Sequence, residues 1–149
     1  MINAFSGDNA FLSNYYLYNI PMIVSDDEVR NAPSVEHYFQ AMKAVSKEEC
    51  IQILSAPTPG EAKRLGRRCK LREDWEQIKI AVMRDALRKK FINTSLSKQL
   101  IATDDHFLVE GNYWNDTFWG VCEGRGRNML GFLLMEIREE LKNDTQNIK

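Results

Sequence analysis

The chain has 149 residues and a mass of 17.3 kDa, about the size of one ordinary domain, and its 44% hydrophobic content excludes a disordered chain. The net charge of −1 argues against a protein that binds polyanions indiscriminately. Two histidines and three scattered cysteines argue against a structural zinc site and a disulfide framework. We therefore expect one cytoplasmic domain with no metal and no cofactor.

The N-terminal third predicts two short strands, at residues 2–5 and 21–24, with a turn at residues 25–28. This region also holds the longest uncharged run, residues 9–25. It is polar and shorter than the about 20 apolar residues that a membrane span needs, so we expect no membrane association. A helix is predicted from Ala32 to about Val45, with Val35, Tyr38, Phe39 and Met42 as its apolar stripe.

The rest of the chain is mainly helical. Ser46 with Glu49, and Thr58 with Glu61, form capping boxes that predict two helix starts. Further helices are expected at residues 74–91, 95–102 and 128–142, with strands at 107–110 and 117–120. Because strands and helices do not alternate regularly, the pattern predicts an α+β, mainly helical single domain with small antiparallel β elements. We place its core at about residues 5–141 of 1–149, followed by a frayed tail at 142–149.

A first candidate site lies on the helix predicted at residues 32–45. Glu36, Gln40 and Lys43 follow at i, i+4 and i+7, which places an acid, an amide and an amine on one face. If that face is buried, the acid can act as general acid/base and the amine as a nucleophile. Spacing alone favours the simpler alternative, a solvated surface pair. His37 fits a hydrogen-bonded structural role better than a catalytic one.

A second candidate site is the segment from Glu110 to Asn128, which is rich in Asp, Asn, Trp and Gly. Trp119 offers a flat face for a base or a sugar, and Asp116 can hold a hydroxyl. Gly124, Gly126 and the amides that open the last helix can approach a phosphate. The competing interpretation is a hairpin whose aromatic side chains only fill the core.

Positive charge is concentrated in one place although the total is nearly neutral. Six bases and no acid fall between residues 63 and 72. Arg67 follows a Leu-Gly pair at which a helix can end, so its guanidinium is a candidate phosphate ligand. A solvated basic face is the alternative.

Several short motifs, in one order along nearly the whole chain, resemble the NADAR family, also called the YbiA-like family. The motifs are Leu12-Ser13-Asn14-Tyr15-Tyr16, Pro33-Ser34-Val35-Glu36-His37-Tyr38-Phe39-Gln40-Ala41-Met42-Lys43, Leu65-Gly66-Arg67, Trp75-Glu76-Gln77-Ile78-Lys79, Leu108-Val109-Glu110, Asp116-Thr117-Phe118-Trp119-Gly120 and Asn128-Met129-Leu130-Gly131. One departure stands out, because relatives usually have a glycine near the position of Cys122.

The resemblance implies an N-glycosidase that hydrolyses the bond between ribose C1 and an amine nitrogen. The implied substrate is a nucleotide-like small molecule, a phosphoribosylamino-pyrimidine of riboflavin synthesis, or an ADP-ribosylated guanine in nucleic acid. No obligate protein partner is implied. The resemblance implies a site made of Glu36, Trp75, Asp116 and Trp119 and lined by Lys43 and Asn128. We take Glu36, Lys43 and Asp116 as candidate catalytic residues. The candidate substrate-binding residues are Asn14, Gln40, Arg67, Trp75, Trp119 and Asn128.

Two mechanisms stay open for this activity. Lys43 attacks the anomeric carbon and forms a Schiff base, which we favour slightly, or it pairs with Glu36 while Glu36 activates water. A non-catalytic module that binds ADP-ribose or NAD is the alternative function. A purely structural domain is the least favoured.

Overall fold

The computed structural model describes residues 1–147 and confirms the predicted α+β class with its small antiparallel element. A short 3-10 helix, Gly7–Leu12, is followed by strands and helices in the order β1 (Ile20–Ser25), β2 (Glu28–Ala32), α1 (Val35–Met42), α2 (Lys47–Leu54), α3 (Pro59–Arg68), α4 (Trp75–Phe91), α5 (Ser97–Ile101), β3 (Gly111–Asn112), β4 (Val121–Cys122) and α6 (Met129–Asn147).

The chain forms two compact units. The helical-hairpin unit comprises Asn14–Lys90, and the loop unit comprises Met1–Ser13 with the described chain from Phe91 onward.

In the helical-hairpin unit, β1 and β2 form an antiparallel hairpin through the predicted turn, with Met22 opposite Arg30. The second strand was not predicted because three of its five side chains are exposed and give no alternating pattern. Helices α2 and α3 begin where capping was expected, whereas α1 begins at Val35 and ends at Met42, inside the predicted range of Ala32 to Val45. The hydroxyls of Ser34, Ser46 and Thr58 each accept the backbone N–H three residues later, which satisfies an N–H that the helix itself leaves unpaired.

One lysine of α4 is removed from solvent. Lys90 is fully buried, and its Nζ lies 5.5 Å from the centroid of the Tyr16 ring. Burial lowers the pKa of Lys90 to about 7, because removal from water disfavours the ammonium form. The sequence hid this burial, since a lysine beside Arg88 and Lys89 looks like part of an exposed stripe.

In the loop unit, the strand predicted at residues 2–5 is reduced to a single parallel bridge between Ile2 and Leu108. The strands predicted at 107–110 and 117–120 lie instead at Gly111–Asn112 and Val121–Cys122, and they pair in parallel. The prediction of an antiparallel pair here was wrong. The backbone carbonyls of residues 117–120 accept N–H groups at the start of α6 and so are not used to pair with a neighbouring strand.

Helix α6 continues to Asn147, beyond the end predicted at Lys142; residues 148 and 149 lie outside the described part of the chain. Its buried side chains include Leu130, Leu133, Leu134 and Ile137. Among the residues that the structure describes, no helix is long and apolar enough to cross a membrane.

Candidate functional site

The face of α1 predicted to carry chemistry is buried. Glu36 and Gln40 are 7% and 3% exposed, which excludes the alternative of a solvated surface pair. The side-chain Nε2 of Gln40 donates to Glu36 Oε1 at 2.7 Å, as the i, i+4 spacing allows. The carboxyl and the amide are therefore held against each other inside the helical-hairpin unit.

Lys43 caps the end of the same helix and lies half-buried over two aromatic rings. Its Nζ is 5.5 Å from the ring centroid of Phe39 and 5.8 Å from that of Trp75. Burial lowers the pKa of Lys43, Glu36 opposes this shift, and the cations Arg67 and Lys63 add to it. A lowered ammonium pKa increases the fraction of free amine, which is the nucleophilic form.

Asn14 is fixed at the other end of α1. Its backbone carbonyl accepts the N–H of Glu36 at 3.1 Å, and its Nδ2 approaches Met83 Sδ at 3.6 Å. Its buried Oδ1 has no hydrogen-bond partner in the part of the chain that the structure describes. Asn14 therefore offers an unused acceptor beside the helix that carries Glu36.

Trp75 is 5% exposed and packs edge-to-face on Phe39, with ring centroids 5.0 Å apart. This places it under Lys43 as part of the core, with little of its face open for stacking on a base. Its predicted role in substrate binding stays a prediction. In the structure, its ring packs beside the Lys43 amine.

Two of the six bases in the basic stretch at residues 63–72 form ion pairs within the part of the chain that the structure describes. Arg64 binds Glu61 and Arg72 binds Asp74, at 2.7 and 2.9 Å. Lys63 and Arg67, one turn apart on α3, instead act on Lys43. Lys63 and Arg67, which lie near the Lys43 amine, are therefore the better candidates for binding a phosphate.

In the loop unit, Asp116 has a structural task that the sequence did not indicate. Its Oδ1 accepts the backbone N–H groups of Phe118 and Trp119 at 3.2 and 2.9 Å. Asn112 completes the turn, because its Oδ1 accepts the N–H of Asp116 and its Nδ2 donates to the carbonyl of Asp116. These bonds fix the backbone on which Trp119 is carried.

Glu110 is a half-buried carboxyl of this loop that sequence analysis did not select. Its Oε2 accepts from Asn112 Nδ2 at 3.2 Å, and it lies against the backbone of Gly120. A methyl group at Gly120 would overlap Glu110 and approach Asn112 Nδ2 to 2.7 Å. Glu110 and Gly120 both stand in the quoted family motifs, but only the folded loop brings them together.

Asn128 anchors the start of α6. Its Oδ1 accepts the N–H of Glu110 at 3.0 Å and its Nδ2 donates to the carbonyl of Leu108 at 2.9 Å. Its φ of 51° is in the left-handed region, which asparagine tolerates better than most residues. Both ends of this side chain are engaged with backbone, so its predicted role in substrate binding stays a prediction.

The amides at the start of α6 are not open to a phosphate, contrary to expectation. The N–H groups of residues 127–130 donate to the carbonyls of residues 117–120, at 2.8 to 3.3 Å. The loop thus satisfies the N–H groups that a helix start otherwise offers to an anion.

The loop accommodates Cys122, where the family resemblance led us to expect a glycine. Positive φ angles fall on Glu123, Gly124 and Gly126, so the sharp turn follows Cys122. The backbone of Cys122 pairs with Arg125 in both directions, at 2.8 and 3.0 Å, and its side chain is 6% exposed.

The aromatic side chains of the loop do not all fill the core. Trp114 is 49% exposed and contacts Tyr113 edge-on, whereas Trp119 is half-buried and packs edge-on against Phe118, with centroids 4.8 Å apart. His37 has the expected structural role, since it is fully buried and its ring nitrogens contact Ser34 Oγ and the carbonyl of Ala56.

The predicted site residues are divided between the two units. Asn14, Glu36, Gln40, Lys43, Arg67 and Trp75 belong to the helical-hairpin unit, and Asp116, Trp119 and Asn128 belong to the loop unit. Within the described residues, no three His, Cys, Asp or Glu side chains cluster as a metal site would require.

A family model described as the NADAR domain matches residues 4–142. The chain belongs to the NADAR family. An N-glycosidase of Nostoc punctiforme is 45% identical over 118 residues, which are 74% of each chain. N-glycosidase YbiA of Escherichia coli is 46% identical over 113 residues, which are 73% of this chain and 70% of that protein.

Two further comparisons extend over most of this NADAR chain. A riboflavin biosynthesis protein of Vibrio vulnificus is 40% identical over 139 residues, which are 91% of this chain and 36% of that protein. The NMR structure of Escherichia coli YbiA superimposes with a TM-score of 0.80 at 36% identity, and the match covers 98% of this chain and 89% of that one. The predicted family, fold class and enzyme class, a hydrolase of N-glycosyl bonds, are thereby confirmed.

Proposed function

We propose that this NADAR protein hydrolyses the bond between ribose C1 and an amine nitrogen in a phosphorylated, nucleotide-like small molecule, with Glu36 and Lys43 as the catalytic pair. The observation that carries the proposal is the face of α1, where a buried carboxyl and a half-buried amine with a lowered pKa belong to one helix. The names of its relatives support the reaction class and, for the Vibrio vulnificus protein, a riboflavin-pathway substrate.

Cleavage of an N-glycosidic bond creates positive charge at the anomeric carbon and leaves an electron pair on the departing nitrogen. A carboxylate stabilises the first, and a proton donor neutralises the second. Glu36 serves both needs in turn, because a carboxyl that takes up a proton early in the reaction can return it to the leaving amine.

In the covalent route, the free amine of Lys43 attacks C1 and gives a proton to Glu36. The bond between C1 and the substrate nitrogen breaks, and that nitrogen leaves with the electron pair and takes the proton from Glu36. The ring oxygen then leaves C1 and is protonated, which produces an imine between Lys43 and the open sugar. Water adds to C1, the C1–Nζ bond breaks, and the sugar aldehyde and the amine are released.

In the alternative route, Lys43 stays an ammonium beside Glu36, and Glu36 removes a proton from water that attacks C1. The lowered pKa of Lys43 favours the covalent route, because a group that works only as a cation gains nothing from the loss of its charge.

The charge pattern supports a phosphorylated substrate. Lys63 and Arg67 lie near Lys43 and make no ion pair within the described residues. An anion bound between them would be stabilised by both cations, and a guanidinium binds phosphate oxygens in a two-pronged geometry. Asp116 and Trp119 stay predicted contacts to ribose and base.

The test is turnover with two substrates, a phosphoribosylamino-pyrimidine and an ADP-ribosylated guanosine. We expect release of free amine and sugar from at least one, and loss of at least a hundredfold in Glu36→Gln. Borohydride should trap a sugar adduct on the wild type but not on Lys43→Arg, which keeps the charge without the nucleophile. Binding without turnover of either substrate would overturn the proposal in favour of a ligand-binding module.

A further inference from the structure

A glycine on α3 lies against the amide that touches Glu36. A methyl group at Gly66 would overlap the side-chain oxygen of Gln40 and come within 2.9 Å of its Cδ and 3.0 Å of its Cβ. Gly66 is an ordinary helical residue, so the requirement here is for space and not for an unusual φ angle. The close approach of α3 thus limits where the Gln40 side chain can lie.

The confined amide has one satisfied end and one unsatisfied end. Its Nε2 donates to Glu36, whereas its buried Oε1 has no hydrogen-bond partner in the part of the chain that the structure describes. A buried carbonyl oxygen without a partner destabilises the fold. A side chain placed only for stability would not be expected to combine this burial with an unused acceptor.

The direction of the hydrogen bond decides which form of Glu36 is favoured. An N–H donor stabilises a carboxylate, which can only accept, more than a neutral carboxylic acid, which must share its oxygens with its own proton. The charged group opposite Glu36 is Lys43, and Lys63, Arg67 and Cys69 act on Lys43 in turn. Burial of Glu36 disfavours its charged form, and the N–H donated by Gln40 together with the nearby Lys43 ammonium offsets that effect.

We propose that Gln40 is a positioning residue that holds Glu36 as a carboxylate at the start of the reaction, and that Gly66 is required to keep Gln40 in place. Glu36 therefore acts first as a base and only afterwards as the acid that protonates the leaving nitrogen. The catalytic role of Gln40 rests on the proposed function, but its hydrogen bond to Glu36 can be tested without turnover.

The deciding experiment uses Gln40→Met, which keeps the length of the side chain and removes both polar ends. We expect kcat/KM to fall by roughly tenfold to a hundredfold, the usual effect of losing a hydrogen bond to a charged group. We also expect the acidic limb of the pH profile to move to higher pH. The protein should unfold at the same or a higher denaturant concentration, since the unsatisfied oxygen is also removed. Lower stability with an unmoved pH profile would show a merely structural role.

Gly66→Ala tests the second half of the proposal, with Gly60→Ala as its matched control. Gly60 lies on the same helix, and a methyl group there would meet only Thr58 Oγ1, at 3.9 Å. We expect Gly66→Ala to shift the pH profile as Gln40→Met does, and Gly60→Ala to leave it unchanged. In the double variant of Gln40→Met and Gly66→Ala, the second substitution should add no further shift. A full additional shift would refute the idea that Gly66 acts through Gln40.

A titration of the Glu36 carboxyl carbon by NMR separates this inference from the proposed function. The resonance is assigned by its absence in Glu36→Gln, and its midpoint should move to higher pH in Gln40→Met. If neither substrate is turned over but the midpoint moves, the proposed function fails and the positioning role stands. An unmoved midpoint overturns the positioning role whatever the turnover.

Discussion

The two units differ in what some of their buried polar side chains bind. In the loop unit, Thr103, Asn128 and Arg138 are buried, and each is hydrogen-bonded to a backbone carbonyl. In the helical-hairpin unit, Ser34 and His37 also bind backbone groups, but Glu36 and Gln40 are buried against each other, and Lys90 is buried beside an aromatic ring. Polar groups bound to backbone stabilise a fold, whereas a buried carboxyl–amide pair or a buried lysine is available for chemistry and costs stability.

The comparison gives a rule that substitutions can break. Removing a buried polar group that is bound to backbone should lower stability, and removing Glu36, Gln40 or Lys90 should lower activity or raise stability. The four predictions below follow this rule from the largest expected free-energy change to the smallest.

Lys90→Met should make the protein more stable at neutral pH. Burial lowers the pKa of Lys90 to about 7, while the unfolded chain keeps an ordinary lysine pKa near 10.4. Between these values the unfolded state holds the extra proton, so wild-type stability rises with pH from about 7 to 10, by at most about 4 kcal/mol in total. Urea unfolding across this range should show the rise in the wild type and its loss in Lys90→Met.

The matched control is Lys98→Met, because Lys98 is an exposed lysine of α5. It should leave both the stability and its slope against pH unchanged. Parallel stability curves for the wild type and Lys90→Met would show that Lys90 is solvated in solution, and the contrast between the two units would lose its clearest case.

Gly120→Ala should destabilise the loop unit. The added methyl group meets the Glu110 carboxylate and its backbone carbonyl, and the backbone cannot rotate away as the Gln40 side chain beside Gly66 can. We expect a loss of about 2–3 kcal/mol, as for other overpacked sites. The loss is measured as the change in the free energy of unfolding in a urea titration. Gly124→Ala is unsuitable as a control because φ at Gly124 is 76°. Gly60→Ala serves instead and should change stability little.

The features that the sequence predicted are those that depend on neighbours along the chain. Glu36, Gln40 and Lys43 were found because helical spacing alone places them on one face, and the starts of α2 and α3 followed from capping residues three positions apart. These local rules apply before any tertiary contact exists.

The features that were missed depend on residues far apart in the chain. In the loop that carries the parallel pair β3 and β4, the N–H of Glu110 is bound by Asn128 from 18 residues away. The confinement of Gln40 requires α3 to supply a glycine at position 66. Neither has a local pattern, because the side chain and its partner meet only after the helices and the loop have packed.

Asn128→Ala should cost about 2 kcal/mol of stability, since the N–H of Glu110 and the carbonyl of Leu108 both lose their partner. Asn128→Gly removes the same two bonds but accepts the φ of 51° without strain, so it should be less destabilised, by about 1 kcal/mol. Thermal and urea unfolding of both variants measure the difference. Activity per folded molecule should stay within a factor of a few, and a specific loss of substrate affinity would instead show that Asn128 binds the substrate.

Arg67→Ala should give the smallest free-energy change, and it should weaken phosphate binding without changing stability. Arg67 is exposed, so its removal leaves stability unchanged, but the affinity for ribose 5-phosphate should fall about fivefold, or roughly 1 kcal/mol. Arg68→Ala is the matched control, because Arg67 acts on Lys43 and Arg68 is not among the groups that do. Calorimetry at low and high salt should show the difference at low salt and its reduction by screening. Equal losses in both variants would mean that the basic stretch attracts phosphate only through its total charge, and that the helical-hairpin unit has no phosphate ligand at position 67.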